Sequence, residues 1–375
     1  MMDEDAMMKS VDADIWNEDK TDAEASIPLT DYDVSFYALD YPVDRVVQRL
    51  GNDDILIPKV GTEVRDGKKI ITGFQRPFVW SSQKSDKFIE SLLMGLPVPG
   101  IFLARTTEGG LLVLDGQQRL ETLRKFCAGS WKLGNSIQKR YQQKTYKTLA
   151  DRDRRRLDNS VIHATVVRQE SPGGYDSIYH IFERLNSGGE ELTPQQIRMA
   201  IYHGTFSKLL FKLNQNNTWR KLIRQNTSDR AFKKFKDVEM ILRFFALFYN
   251  FGKYQNPMKN FLNKFMEEHR NIESPERKQY ERLFCDTVKF INQSMGERAF
   301  CGKGKKPSAA IVDSLMYGVA KLLTSGVSLS SQEAKNAVEA MLEDQDYQEA
   351  IGKRTSMVKH VKQRLNLSEQ ILCRQ

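Results

Sequence analysis

The residues from Leu111 to Leu120, LLVLDGQQRL, combine types that could bind phosphate. An apolar run stops at Asp115 and Gly116, and three polar residues, Gln117, Gln118 and Arg119, open a helix before the apolar Leu120 and Leu123. A strand that feeds a helix through glycine exposes backbone N–H groups beside the positive end of the helix dipole, which suits a phosphate. Arg119 in the first turn adds a fork of donors. The same residues also fit a plain junction, with Asp115 as N-cap, Gly116 as turn residue and Arg119 as a solvated helix residue. Spacing alone leaves both readings open.

Two further clusters carry candidate chemistry. In Phe74-Gln75-Arg76-Pro77-Phe78-Val79-Trp80, aromatics flank one arginine, so a base or ribose could stack while the guanidinium pairs with phosphate. Phe78 and Trp80 could equally staple the following helix to the core. In Phe182 to Pro194, FERLNSGGEELTP, a helix ends at Asn186 and a glycine pair, and Thr193 caps the next helix with Pro194 at its first position. Arg184 and Asn186 would sit at a helix C-terminus, where they could reach a ligand.

Bases crowd between residues 208 and 236, among them Arg220, Lys221, Arg224, Arg230, Lys233, Lys234 and Lys236, against the single acid Asp229. Such one-sided charge fits either a solvated face or a polyanion footprint, and nothing in it reads base edges. Other chemistries are missing from the sequence. The five histidines make no HxxxH pair, the four cysteines make no CxxC, and there is no GxxxxGK[ST], GxGxxG or GxSxG. A zinc site, a conventional P-loop NTPase, a Rossmann enzyme and an α/β-hydrolase are therefore disfavoured.

The elements that must position these residues fall into two halves. From about Val34 to Arg168, β-like and helical runs alternate. Strand-like Lys69 to Thr72 precedes a helix over Ser85 to Met94 that Gly95 and Pro97 end. Ile101 to Leu103 and Leu111 to Leu114 flank a turn-rich stretch and read as a hairpin, followed by a helix over Gln117 to Phe126. A charged helix near Asp151 to Leu157 leads into a strand over Val161 to Val167. From Tyr175 onward apolar residues recur only at helical spacing, which predicts an all-helical second half. The expected class is α+β, with domains at 34–170 and 171–375.

The chain has 375 residues, 40% hydrophobic and 28% charged, with 57 Lys plus Arg against 48 Asp plus Glu. That composition supports a folded core and excludes a disordered chain. Residues 1–33 hold 11 acids and two bases, a local charge of −9, so the remainder carries +18 of the overall +9. This acidic segment is short of large apolar side chains and is expected to be a mobile tail, either solubilising or mimicking nucleic acid. No apolar run suits a membrane span or a signal peptide, and the scattered cysteines suit a reducing cytoplasm.

Gln75 to Trp80, then Ile89 to Pro99, then DGQQR at 115–119, resemble in order and spacing the N-terminal domain of GmrSD-type restriction proteins. Phe182 to Arg198, FERLNSGGEELTPQQIR, is similar to that family's later motif. The resemblance implies a ParB/sulfiredoxin-like domain followed by helices, in a bacterial or phage-encoded defence system acting on modified or foreign DNA. It makes DGQQR the site of a nucleoside triphosphate held with Mg²⁺ or Mn²⁺. Asp115 would place the metal or attacking water, Gly116 would let backbone approach phosphate, and Gln117 and Gln118 would contact phosphates or water. Arg119 would stabilise developing phosphoryl charge, Gln75 and Arg76 would complete the pocket, and Arg184, Asn186 and Gly189 would close it.

Two departures qualify that transfer. Gln196 stands where the family often has Glu, and no HNH nuclease motif follows residue 205, so the chain is expected not to cut DNA alone. The implied partners are DNA, a separate nuclease or defence subunit, and a second copy of the chain. Alternatives are a ParB-like nucleotide-gated DNA-binding protein without turnover, a metal-dependent nuclease using Asp115, and an inhibitor acting through its acidic tail.

Overall fold

The computed structural model describes residues 34–57, 62–65, 68–71, 78, 80–106, 109–170, 176–185, 192–224, 235–302, 306–352 and 354–373. The chain divides into two compact units on either side of residues 191 and 192.

The first unit is built on a five-stranded mixed sheet with the order β1 (Val34–Pro42), β7 (Val161–Gln169), β5 (Ile101–Arg105), β6 (Leu111–Asp115), β2 (Ile55–Leu56). β1 runs antiparallel to β7, with Val34 opposite Gln169 and Pro42 opposite Val161, while β5 runs parallel to β7. β5 and β6 form the expected hairpin, and β2 adds in parallel to β6. A separate antiparallel pair joins β3 (Thr62–Arg65) and β4 (Lys68–Ile71).

Helices cover this sheet because their apolar residues recur at helical spacing. α1 (Val43–Gly51) buries Val43, Val46 and Leu50. α2 (Ser82–Met94) buries Phe88, Ile89, Leu92 and Leu93. It begins at Ser81, whose hydroxyl accepts from the Lys84 N–H, and ends at Gly95 in the left-handed region, φ +73°, as the sequence predicts. α3 (Gln117–Cys127) buries Leu120, Leu123 and Phe126 against the same core as Leu103, Val113 and Val166 of the strands. α4 (Asp151–Asp158) inserts only Leu157.

α5 (Asp176–Leu185) lies against β6 and β7 and belongs to this first unit. Its apolar Ile178, Tyr179 and Phe182 are buried.

Among the described residues of the second unit every regular element is helical: α6 (Pro194–Ile201), α7 (Thr205–Asn214), α8 (Asn217–Leu222), α9 (Lys236–Asn250), α10 (Met258–Glu268), α11 (Ser274–Met295), α12 (Ala309–Ser325), α13 (Ser331–Glu343), α14 (Gln345–Gly352) and α15 (Val358–Cys373), with short 3₁₀ turns between. α12 is apolar almost all round and packs against α9, α11 and α15, the position such a helix requires. Thr193 and Gln196 form a reciprocal cap at the start of α6: the Thr193 N–H donates to Gln196 Oε1 (2.8 Å) and the Gln196 N–H to Thr193 Oγ1 (3.3 Å). Gln196 thus does a job that needs no carboxylate.

Candidate functional site

The DGQQR turn forms where β6 hands over to α3. The β5–β6 register shifts by one residue at this point, Phe102 facing Asp115 while Leu103 faces Val113, so Leu114 is the extra residue of a bulge. A bulge bends its strand and re-aims the side chain beyond it. Gly116 follows with φ +95°, and no side chain caps α3. A Cβ at Gly116 would lie 2.4 Å from Ile101 Cγ2, so this position needs glycine both for its backbone and for its space.

Arg119 folds back one turn onto the strand end. Its Nη2 donates to Asp115 Oδ2 (2.6 Å) and to the Gly100 carbonyl (2.9 Å). The pair is partly sheltered, with side-chain exposures of 16% for Arg119 and 43% for Asp115. Arg119 Nε is buried and has no partner among the described residues. Nη2 is therefore pinned to the strand end while the buried Nε carries no hydrogen bond among the described residues.

Residues 60–203 match the family model of the GmrSD restriction endonuclease N-terminal domain. This stretch belongs to that family. No curated protein and no solved structure matches the chain.

Within the GmrSD stretch the remaining candidates separate. Gln117 is only 7% exposed, so its side chain serves the core more than an open site. Gln118 accepts from the Trp80 N–H at 3.3 Å through Oε1, which ties the end of the QRPFVW segment to the first turn of α3. Trp80 itself packs edge-on against Phe88 of α2 at 5.5 Å, and Lys125 of α3 sits 3.9 Å over the Phe78 ring. These aromatics act as staples between elements. Gly100 and Ile101 are partners that sequence reasoning missed, since each reaches the turn only through the fold. Arg184 is exposed in the last turn of α5, on the helix that covers β6. Gln75, Arg76, Asn186 and Gly189 lie outside the described residues.

Of the oxygen ligands that a magnesium ion takes, the described residues offer at this turn the one carboxylate of Asp115. Asp115 Oδ2 is taken by Arg119, which leaves Oδ1 as one carboxylate oxygen on a partly exposed side chain. Mg²⁺ commonly takes one or two carboxylates and completes its shell with phosphates and water. Among the described residues no three His, Cys, Asp or Glu side chains converge as an all-protein metal cage would require.

A shallow cleft of about 480 Å³ lies at the far end of α3, lined by Val47, Leu50, Asp53, Arg124 and Cys127. Arg124 is held bidentately by Glu121. Burial, helped by Asp158, pushes the Cys127 thiol up to about 12, which keeps it protonated and unreactive at neutral pH. The cleft thus offers no nucleophile.

In the second unit Arg220 departs from the expected footprint. Its Nη1 donates to Asp237 Oδ2 at 2.7 Å, and Asp237, fully buried, also accepts from Asn214 Nδ2 at 2.8 Å. Arg220 is a cation of the fold. Burial raises the Asp237 carboxyl above its ordinary range against the opposing pull of Asn214 and Arg220. Lys221 is exposed beside Glu297 (3.8 Å), Arg224 is exposed, and Lys236 starts α9 half-buried; Arg230, Lys233 and Lys234 lie outside the described residues. Arg220→Ala is expected to lower stability by about 2 kcal/mol in urea unfolding, the scale of a hydrogen bond to a charged group. It should leave the salt dependence of polyanion binding unchanged; a shallower salt slope at wild-type stability would return Arg220 to the surface role.

Among the described residues no helix is long and apolar enough to cross a membrane.

Proposed function

We propose that this chain is the nucleotide-binding and nucleoside-triphosphate-hydrolysing component of a restriction system, coupling nucleotide state to DNA or to a nuclease partner. The observation that carries this reading is the clamp at the DGQQR turn: a left-handed glycine, an uncapped helix start, and an arginine pinned by Asp115 and Gly100 with a buried donor to spare. Such preorganised donors stabilise charge without reorganisation when phosphate reacts. The mixed sheet is in keeping with a ParB/sulfiredoxin-like domain, and the family of residues 60–203 supplies the restriction context.

In this reading Asp115 Oδ1 would hold the Mg²⁺ that neutralises phosphate charge. Gly116 admits phosphate oxygen to the backbone of the α3 start, Arg119 binds the transferring phosphoryl group, and Gln118 positions the aromatic segment by its bond to Trp80. The test is phosphate release from ATP, GTP, CTP and UTP with Mg²⁺, by wild type and Arg119→Ala in parallel. Turnover is expected for at least one nucleotide and should fall by roughly 10²–10³ in the variant, the scale for losing one transition-state donor. Turnover unaffected by Arg119→Ala would move the site elsewhere.

A second reading has a specific observation behind it. Asp115 and Arg119 already neutralise each other, an arrangement equally suited to a ParB-like switch that binds nucleotide without hydrolysing it. Nucleotide binding with no released phosphate would select it. A metal-dependent nuclease is supported less, because Asp115 is joined by no cluster of further acidic or histidine ligands among the described residues.

A further inference from the structure

Between α3 and α4 the chain makes a long connection, residues 128–150, without strands or α-helix. Irregular connections of that length are uncommon in compact domains and are usually functional. This one is held rigidly. Leu133, Ile137, Tyr141 and Leu149 are buried in the core of the first unit. Buried Asp86 accepts from Trp131 Nε1 and from the Gly134 N–H, both at 3.0 Å. Glu90 accepts from the Gln138 N–H at 2.7 Å, and Gln142 Nε2 donates to the carbonyls of Asn135 and Ile137.

What the connection turns outward is positive. Residues 132–156 contain nine bases and two acids. Lys132, Lys139, Arg140, Lys144 and Lys147 are all exposed, as are Arg152 and Arg155 of α4. The two acids do little to neutralise them: Asp151 pairs with Arg154 at 2.6 Å, and Asp153 is half-buried. Among the described residues none of the seven exposed bases has an acidic partner.

The backbone gathers these charges. Leu133 N–H donates to the Lys144 carbonyl (2.9 Å) and Gln143 N–H to the Leu133 carbonyl (2.8 Å), which sets Lys132 beside Lys144. Tyr141 has the Arg140 guanidinium 4.5 Å from its ring centroid, and Arg156 and Asp153 of α4 lie within electrostatic reach of it. Arg156 is anchored separately, donating to the Met94 carbonyl at the end of α2 at 2.7 Å. The connection and α4 thus meet around Tyr141, where Arg140 and Arg156 come together, and both present exposed bases from a firmly held backbone.

We propose that this surface, carried by residues 132–155 of the first unit, contacts the phosphate backbone of duplex DNA. Fixed cations without acidic partners gain the counterion release that drives backbone binding, and a rigid loop loses little entropy on docking. No large apolar side chain of the segment is exposed, so it lacks the anchors with which a protein enters a lipid surface. The choice of DNA among polyanions rests on the restriction reading given above. The footprint thus belongs to the sheet-containing unit, whereas the bases at 208–236 belong to the helical one.

The test is anisotropy of a short labelled DNA duplex across a salt series, without nucleotide, for the full chain and for Lys139→Ala/Arg140→Ala/Lys144→Ala. Losing three phosphate contacts is expected to lower the salt slope by about 3 and to weaken binding roughly 100-fold at 0.1 M salt. The thermal midpoint should fall by only a few degrees, because all three side chains are exposed and only the Arg140 contact with Tyr141 is lost. Phosphate release by the variant should equal that of wild type. If wild type releases no phosphate yet its duplex binding still depends on the three residues, the hydrolysis reading fails and this surface stands. Wild-type affinity in the variant overturns the proposal, as does loss of binding only on substitution of Lys208, Lys221 and Arg224. Binding of vesicles containing phosphatidylserine, or of a peptide of residues 1–33, in place of the duplex would also overturn it.

Discussion

Asp313→Asn is expected to destabilise the helical unit by about 3–5 kcal/mol, the cost of leaving buried charge uncompensated. Asp313 sits on α12 with no exposure, between two arginines that are themselves buried. Arg243 of α9 grips both carboxylate oxygens, Nε to Oδ1 at 3.0 Å and Nη2 to Oδ2 at 2.7 Å. Arg364 of α15 donates Nη2 to Oδ2 at 2.8 Å and Nη1 to the Thr355 carbonyl. One anion thus serves two cations and ties three helices. Asparagine keeps the shape but turns an N–H₂ toward a guanidinium and removes the carboxylate charge that both arginines grip.

Two further measurements follow from the same triad. Burial works against the Asp313 carboxylate, but Arg243 and Arg364 outweigh it and hold the carboxyl below its ordinary range. A carboxyl depressed in the folded state contributes stability above its unfolded pKa of about 3.9, and loses it as pH falls through the lower folded value. Urea unfolding of wild type should therefore weaken steeply in acid. The apolar triple variant Arg243→Met/Asp313→Leu/Arg364→Met should lose that acid dependence and recover most of the stability lost in Asp313→Asn. A single Asp313→Asn variant within about 1 kcal/mol of wild type would mean that the arginines find other partners, since typical substitutions cost that much anywhere.

Much of this architecture was legible in the residues. The hairpin at 101–115, the helix opening at Gln117, the caps at Gly95 and Thr193, and the helical second half all follow from period, glycine and capping chemistry. These signals are local. What stayed hidden is non-local. Arg220 reads as a surface base because its partner Asp237 lies 17 residues on, in α9, and Arg243 and Arg364 give no sign that one aspartate serves both. The site divides along the same line. DGQQR was visible as a strand-glycine-helix junction, whereas the Gly100 carbonyl that pins Arg119, and Trp80 that engages Gln118, come from elsewhere in the chain. The cations at 132–155 are plain in the sequence, yet the backbone that carries them is held by the buried Asp86, Tyr141 and Leu133, contacts that no local pattern announces.

Gly116→Ala should be the most damaging single-methyl change at the candidate site. The residue sits at φ +95°, a backbone state costly for any L side chain, and the new Cβ would meet Ile101 Cγ2 at 2.4 Å and Ile101 Cβ at 2.9 Å. Strain of this kind costs of order 1–3 kcal/mol, and overpacking adds a comparable amount. About 3 kcal/mol is expected in urea unfolding. Ile101 belongs to β5, which is hydrogen-bonded on both sides, and its side chain is 1% exposed, so it has little room to retreat. Relief would come by rotating the turn, which would carry Asp115 and Arg119 apart and break their bond to each other and to Gly100. Nucleotide binding should then fall with stability. Ile101→Ala in the Gly116→Ala background separates the two causes. It removes the clash but leaves the left-handed backbone, so nucleotide binding should return in part, while Ile101→Ala alone leaves the turn intact and binds as wild type. Full binding in Gly116→Ala itself would show that phosphate does not approach this turn, and with it the DGQQR site would be lost.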